Sequence, residues 1–323
     1  MQEATLKNFS IDDWSYGVEL EYGNCYRFGA LPAGAQWNDK DNTCVSSTGI
    51  ANDPVGELYA YGGEINTKPT YTIQEQIEHI SEINAALDPA ALVNYRSNLH
   101  IHIRVPGLKD DLESCKKLLR YIDRYQEEAF DIVETIPVPT KGSMTEDEYQ
   151  GALKRMKRRK KSHQYKLPES RVAAMLAATT TQEFYEEHAP KTEKGRMWYF
   201  SPRAGINLRQ MFEETNTIEF RHFPGTLNMV EMESAIRWCQ LFMDAALNQE
   251  DVSPRDIYWA NDFAFPDFQT YDYKTEQVYQ YTNFDTNSRK EVKERLANIR
   301  KHIDIDDIKN VTAAQVYEVI KTL

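Results

Sequence analysis

Residues 98–107 read NLHIHIRVPG. The spacing predicts a strand that Pro106-Gly107 ends. Side chains two apart on a strand share a face. One face of this strand therefore carries Asn98, His100, His102 and Arg104, and the other carries Leu99, Ile101, Ile103 and Val105. Two further segments divide in the same way. In YGVELEYG (16–23), Glu19 and Glu21 oppose Val18, Leu20 and Tyr22. In NTIEFRHF (216–223), Glu219 and Arg221 oppose Ile218 and Phe220. GELYAYGGEINTKP (56–69) reads as a second extended segment, with Glu64 beside Ile65. GINLRQ (205–210) reads as a strand with Asn207 and Arg209 on one side, and RMWYFS (196–201) as another. The charged halves draw on a narrow set of residues: Glu, His, Arg and Asn.

Between the strands the apolar period changes to that of helices. Thr72 opens a helix by the capping-box pattern, running to about Leu87. A stripe of Leu112, Cys115, Leu119, Ile122, Ala129 and Val133 predicts a helix from Asp110 to about Thr135, stopped by Ile136-Pro-Val-Pro. Further helices are expected at 144–161, near 170–187, at 229–248, near 287–302 and at 312–322. A polar loop runs through NDKDNTCVSSTG (38–49), and the Tyr-, Phe- and Asp-dense segment 254–285 reads as an ordered, irregular wrap. Strands from both ends of the chain separated by helices predict one α+β domain over residues 1–323. Its expected form is a curved, mostly antiparallel sheet with helices on the apolar face. A helical insertion at about 107–195 and an aromatic-rich, helical tail at about 250–323 complete the expected organisation.

The chain has 323 residues, 50 Asp+Glu and 38 Lys+Arg, giving a formal charge of −12. That composition excludes collagen-like and wholly disordered chains and argues against general binding to nucleic-acid backbones. No apolar run approaches the roughly 18–20 residues needed to span a bilayer. The acidic N-terminus lacks an apolar signal region, and four scattered cysteines suit a reducing compartment, so a cytoplasmic protein is expected. Seven of the eight residues 154–161, KRMKRRKK, are basic, and the remainder carries 31 basic against 50 acidic residues. This run reads as a solvated helix end, or as a lid that draws in an anionic substrate. His79, His163, His188 and His302 read as surface residues. His222, on the apolar side of its strand, reads as a hydrogen-bonded core histidine.

Alternation alone describes the solvent face of a sheet, but glutamate is disfavoured on strands. Glu19 and Glu21 lie about 6.6 Å apart along theirs, and two such carboxylates repel unless a cation stands beside them. Glu19, Glu21, Glu64 and Glu219, with the His100/His102 pair, supply oxygen and imidazole ligands suited to Mg²⁺ or, since imidazole is present, Mn²⁺. Arg221 is then a donor for a phosphate beside the metal. There is no P-loop, serine elbow or Cys/His nucleophile signature.

The motifs G-V-E-L-E, G-G-E, N-L-H-I-H and T-I-E-F-R followed by P-G-T-L-N, in this order over about residues 15–245, resemble those of the amidoligases. These belong to the carboxylate–amine ligase superfamily, which includes glutamine synthetase and glutamate–cysteine ligase. The resemblance implies a glutamine-synthetase-like catalytic fold with a metal-nucleotide site on its charged face. It implies Glu19, Glu21, Glu64, His100 and Glu219 as metal ligands, His102 near the nucleotide phosphates, and Arg221 at a phosphate or substrate. By a looser match it implies Arg203 and Asn207 as nucleotide or substrate contacts. Glu219, His102 and Arg221 are then the catalytic set, with ATP and Mg²⁺ as cofactors. The implied reaction joins a carboxylate to an amine through an acyl phosphate; the substrates could be an amino acid, peptide, polyamine or modified nucleobase. The lead-in Tyr95-Arg96-Ser97-Asn98 lacks the glycine-rich approach common in relatives, and the tail beyond about 250 matches nothing in the family. A guanidino-type kinase on a similar fold and a non-enzymatic binder of an anionic polymer are the alternatives.

Overall fold

The computed structural model describes residues 8–23, 30–38, 62–87, 91–93, 97–133, 145–146, 149–150, 164–188, 204–249, 252–265, 280–281 and 284–285. It is an α+β structure. Nine strands form one sheet: β1 (Ser15–Gly23), β2 (Gln36–Asn38), β3 (Gly62–Asn66), β4 (Leu92–Val93), β5 (Asn98–Arg104), β6 (Ile206–Asn207), β7 (Ile218–Pro224), β8 (Gln280–Tyr281) and β9 (Phe284–Asp285). The main path runs β6-β7-β5-β1-β4-β8-β9; off this path β3 pairs with β1, and β2 with β3. Every pairing in it is antiparallel.

The α-helices among the described residues are α1 (Ile73–Ala86), α2 (Leu112–Ile132), α3 (Glu169–Ala177), α4 (Thr181–His188), α5 (Met229–Asn248) and α6 (Pro254–Ala260). Thr72 and Glu75 close the expected capping box of α1. Asp111 caps α2 by accepting from the Ser114 N–H at 3.3 Å, and α5 keeps the bounds its apolar stripe predicted. Val18, Leu20, Leu99, Ile101, Ile103, Ile218 and Phe220 of the sheet are buried. On them pack α1 and α5, with α2 and α6 against α5. Phe242 and Trp238 of α5 stack on each other at 5.2 Å, and Phe242 meets Phe220 edge-on at 5.6 Å.

The structure corrects four expectations. The helix expected near 170–187 is two, because Thr180 Oγ1 accepts from the Glu183 N–H at 3.1 Å and Glu183 accepts from Thr179, which starts a new helix. The strand expected at 205–210 is only Ile206–Asn207; Arg209–Phe212 is a 3₁₀ turn in which Arg209 pairs with Glu213 instead of extending the strand face. Asn38, counted in the polar loop, belongs to the strand 36–38; the rest of that segment lies outside the described residues. Part of the irregular wrap is α6, opened by a Ser253–Asp256 capping box and Pro254 at its first position.

Two histidines expected at the surface are buried as well. His79 shares the inner face of α1 with Gln76, Ile80 and Ile83. His188 follows Phe184 by one turn on the buried side of α4. Residues 151–161 with the basic run, the strand expected at 196–201, His163, His302 and the helices expected at the C-terminus lie outside the described residues. None of the described helices is long and apolar enough to cross a membrane.

Candidate metal and active site

The register of the sheet assembles the site. Glu19 of β1 stands opposite His100 of β5. Glu21 stands opposite Glu64 of β3, and His102 opposite Glu219 of β7. Gly17 faces His102, so no side chain stands between His102 and Glu19, the next residue along that face of β1. A slip of one residue would turn the whole set toward the helices. A bulge between the Ile101–Phe220 and Leu99–Phe223 pairs adds one residue to β7. Beyond it both His222 and Phe223 reach the aromatic core, while Glu219 and Arg221 stay with the site.

The charged face is not a solvent face. Glu21, Glu64 and His100 are each 3% exposed and Glu219 is 2% exposed; Glu19 is the most open, with 24% of its side chain accessible. Buried carboxylates need partners, and these are supplied strand by strand. Asn38 Nδ2 donates to Glu64 Oε1 at 2.7 Å. Asn98 donates through both its N–H and Nδ2 to Glu21 Oε2, each at 2.9 Å. Asn207 Nδ2 donates to Glu219 Oε2 at 2.8 Å, and Arg221 Nη1 donates to Glu219 Oε1. Glu19 lies between the histidines, its Oε2 2.8 Å from His100 Nδ1 and its Oε1 3.1 Å from His102 Nε2. His102 Nδ1 meets Thr217 Oγ1 at 2.9 Å.

The protonation states follow from these contacts. Burial pushes the Glu19 carboxyl up, but the charge of His102 and the hydrogen bonds from both histidines outweigh it and hold the pKa well below the ordinary range. Burial pushes His102 down, and Glu19, with a smaller contribution from Glu219, more than reverses this. Burial opposes the charge of Arg221 too, and Glu219, Glu19 and Glu21 overcome it, so its pKa is raised.

Two overlapping groups offer ligand atoms within 4.8 Å of one another: Glu19, Glu64 and His100, and Glu19, His102 and Glu219. The set fits hard divalent cations. Glu21, Glu64 and Glu219 are buried beside the partly exposed Glu19, and among the described residues His100 Nε2 is buried without a hydrogen-bond partner. Oxygen donors with two imidazoles suit Mg²⁺ or Mn²⁺. Glu21 lies in neither group; its Oε2 is bonded to Asn98.

Asn207, expected at the nucleotide, is buried and bridges Glu219 Oε2 and the Arg209 N–H, which donates to its Oδ1 at 3.0 Å. Arg203 lies outside the described residues. Asn38, Asn98 and Thr217 are contacts that the motif reading passed over. A signal for two of them was present, since Asn98 precedes His100 by two residues and Thr217 precedes Glu219 by two, each on the site face.

A sheet with a buried carboxylate–imidazole face suited to divalent cations is thus the defining feature of this chain. The family model described as "putative amidoligase enzyme" matches residues 4–243. The chain belongs to that amidoligase family, a class of amide-forming ligases. No curated protein and no solved structure matches it.

Proposed function

We propose that this protein is an ATP-dependent ligase that joins a carboxylate to an amine through an acyl phosphate, on a glutamine-synthetase-like catalytic domain spanning the chain. The observation that carries this reading is the gathering of buried acid: Glu19, Glu21, Glu64 and Glu219 around His100 and His102, with Arg221 paired to Glu219. Such a gathering is costly unless divalent cations complete it. Glu19, Glu64, His100, His102 and Glu219 would hold Mg²⁺ or Mn²⁺, which when bound offset the negative charge of ATP phosphates. Glu21 stands beside them as a further carboxylate.

The chain's own part is positioning and charge. Arg221 is anchored by Glu219 through Nη1, and 20% of its side chain is open. It therefore retains donors for the γ-phosphoryl group as that group moves to the substrate carboxylate. ADP leaves; the amine then attacks the acyl carbon and phosphate departs, carrying one former carboxylate oxygen. The basic run 154–161 fits a role in drawing in the anionic substrate. The carboxylate and amine are sought among amino acids, peptides, polyamines and modified nucleobases.

The test supplies Mg²⁺, ATP and a panel of such substrates, with the carboxylate labelled with oxygen-18. The expected products are the amide, ADP and phosphate bearing one labelled oxygen. AMP with pyrophosphate, or amide formed with unlabelled phosphate, overturns the mechanism; reversible phosphate transfer without an amide marks a kinase instead.

A further inference from the structure

The same geometric relation recurs at three places in the sheet. Asn38 of β2 bonds Glu64 of β3, Asn98 of β5 bonds Glu21 of β1, and Asn207 of β6 bonds Glu219 of β7. In each case an asparagine amide on one strand holds a single oxygen of a buried glutamate on the adjoining strand. Asn38 and Asn207 stand directly opposite their partners, and Asn98 is the neighbour of Leu99, which pairs with Leu20. The fourth case is His102, whose Nδ1 meets Thr217 Oγ1. With the Thr217 hydroxyl placed to donate onward to Thr215 Oγ1 at 3.3 Å, its oxygen is placed to accept an Nδ1–H, an arrangement that leaves the Nε2 lone pair for a cation beside Glu19.

All four donors or acceptors are neutral. A lysine or arginine in the place of an asparagine would orient the carboxylate equally well, but would cancel the charge that attracts a cation. An amide fixes the rotamer and brings no positive charge of its own; Glu219 also takes Arg221 on its other oxygen. A partner that orients a ligand without competing for the metal commonly sets affinity.

We infer that Asn38, Asn98, Asn207 and Thr217 are positioning residues: a frame of uncharged groups that fixes Glu64, Glu21, Glu219 and His102 for divalent cations. The inference rests on the cation reading of the site given above. It makes Asn207 a residue that acts through Glu219. It also assigns the residues to different positions. Asn38 serves the group of Glu19, Glu64 and His100, whereas Asn207 and Thr217 serve the group of Glu19, His102 and Glu219.

That division supplies a test which a purely structural role would not pass. Mn²⁺ binding to the full chain without nucleotide is measured by equilibrium dialysis and electron paramagnetic resonance. The parent chain, N38A, T217V, the double variant and T217S are compared. The parent should bind two Mn²⁺. N38A should weaken one by roughly 10–100-fold and T217V the other by a similar factor. The double variant should weaken both, and T217S should restore the parent pattern by returning the hydroxyl. Thr217 is only partly buried and Val is its near-isostere, so this variant folds even if N38A does not; its circular dichroism and metal-free melting check that. T217V with parent affinities overturns the inference, as does either single variant weakening both positions alike. A parent chain that binds no Mn²⁺ overturns the cation reading together with this one, whereas a binding parent with indifferent variants overturns this one alone.

Discussion

His102 and His222 stand on neighbouring strands of one sheet, both buried, and the protein treats them in opposite ways. His102 lies on the face with Glu19 and Glu219, and these carboxylates raise its pKa against the pull of burial. His222 lies on the other face, ringed by Phe130, Phe220, Phe223 and Trp238. Burial there pushes its pKa down to about 3, and the single hydrogen bond with the Gly205 carbonyl pulls only weakly the other way. Burial is common to the two, so it does not decide the charge; the chemistry facing the ring does. One face is built to hold charge out of water, and the other to exclude it.

The sharpest way to break this contrast is to remove the residue on which the charged face converges. Glu19 is shared by both candidate ligand groups and touches both histidines. E19Q should lower ATP turnover by roughly 10³-fold or more, since charge stabilisation at the reacting centre is lost. It should also weaken Mn²⁺ at both positions. The metal-free variant should melt lower than the parent, because the depressed pKa of Glu19 means that its charged form stabilises the fold. Parent-level turnover by E19Q would show that the charged face is not where the chemistry occurs.

The apolar face should respond in the opposite sense. Trp238 is fully buried, stacked on Phe242 and set edge-on to His222 and Phe223. W238A should cost about 3–5 kcal/mol of stability, read by urea unfolding, because a large cavity opens in a packed core. Below its transition, the folded variant should keep Mn²⁺ affinity within a few-fold of the parent. A matching loss of affinity would mean that the two faces are not independent.

How much of this was legible in the sequence follows from what carries each feature. The period-two alternation of 16–23, 98–105 and 216–221 wrote the two faces directly, and the E-x-E, H-x-H and E-F-R spacings named the charged set. Thr72 with Glu75, and the apolar stripe of 229–248, fixed two helices to within a residue. What alternation cannot state is depth: the same pattern describes a solvated face, and only the packed sheet reveals that Glu21, Glu64 and Glu219 are buried. The bulge in β7 was equally hidden, since an extra residue in a strand leaves no mark on composition, yet it places His222 and Phe223 together in the core. Partners distant in sequence, such as Asn38 for Glu64 or Thr217 for His102, become visible only once register is known. His79 and His188 were misjudged because one polar residue on a helix face says little about what covers it.

The smallest expected effect isolates the apolar face by pH. A histidine with an ordinary pKa near 6.5 when unfolded takes up a proton in the unfolded chain as pH falls below that value. Folded His222 does not until about pH 3. Between these limits the unfolded state binds more protons, so stability falls as pH falls, by about 1.4 kcal/mol per pH unit for this residue. His188, pushed down to about 4 by burial and then by Arg209, and His79, lowered by burial and Lys68, act in the same direction. His102 and Glu19 add little to the slope in this window. Raised His102 contributes fully below pH 6.5 and loses its contribution only as pH rises through its folded value. Depressed Glu19 contributes fully above the ordinary carboxylate range and loses its contribution only as pH falls through its folded value. Urea unfolding of the metal-free chain from pH 6.5 to 5 should therefore show a declining stability, and H222F should remove about 2 kcal/mol of that decline over the interval. The Phe variant also lacks the Gly205 hydrogen bond, so its baseline shifts and the slope is the quantity to read. An unchanged slope would mean that His222 takes up a proton in the folded chain, and that the apolar face admits charge after all.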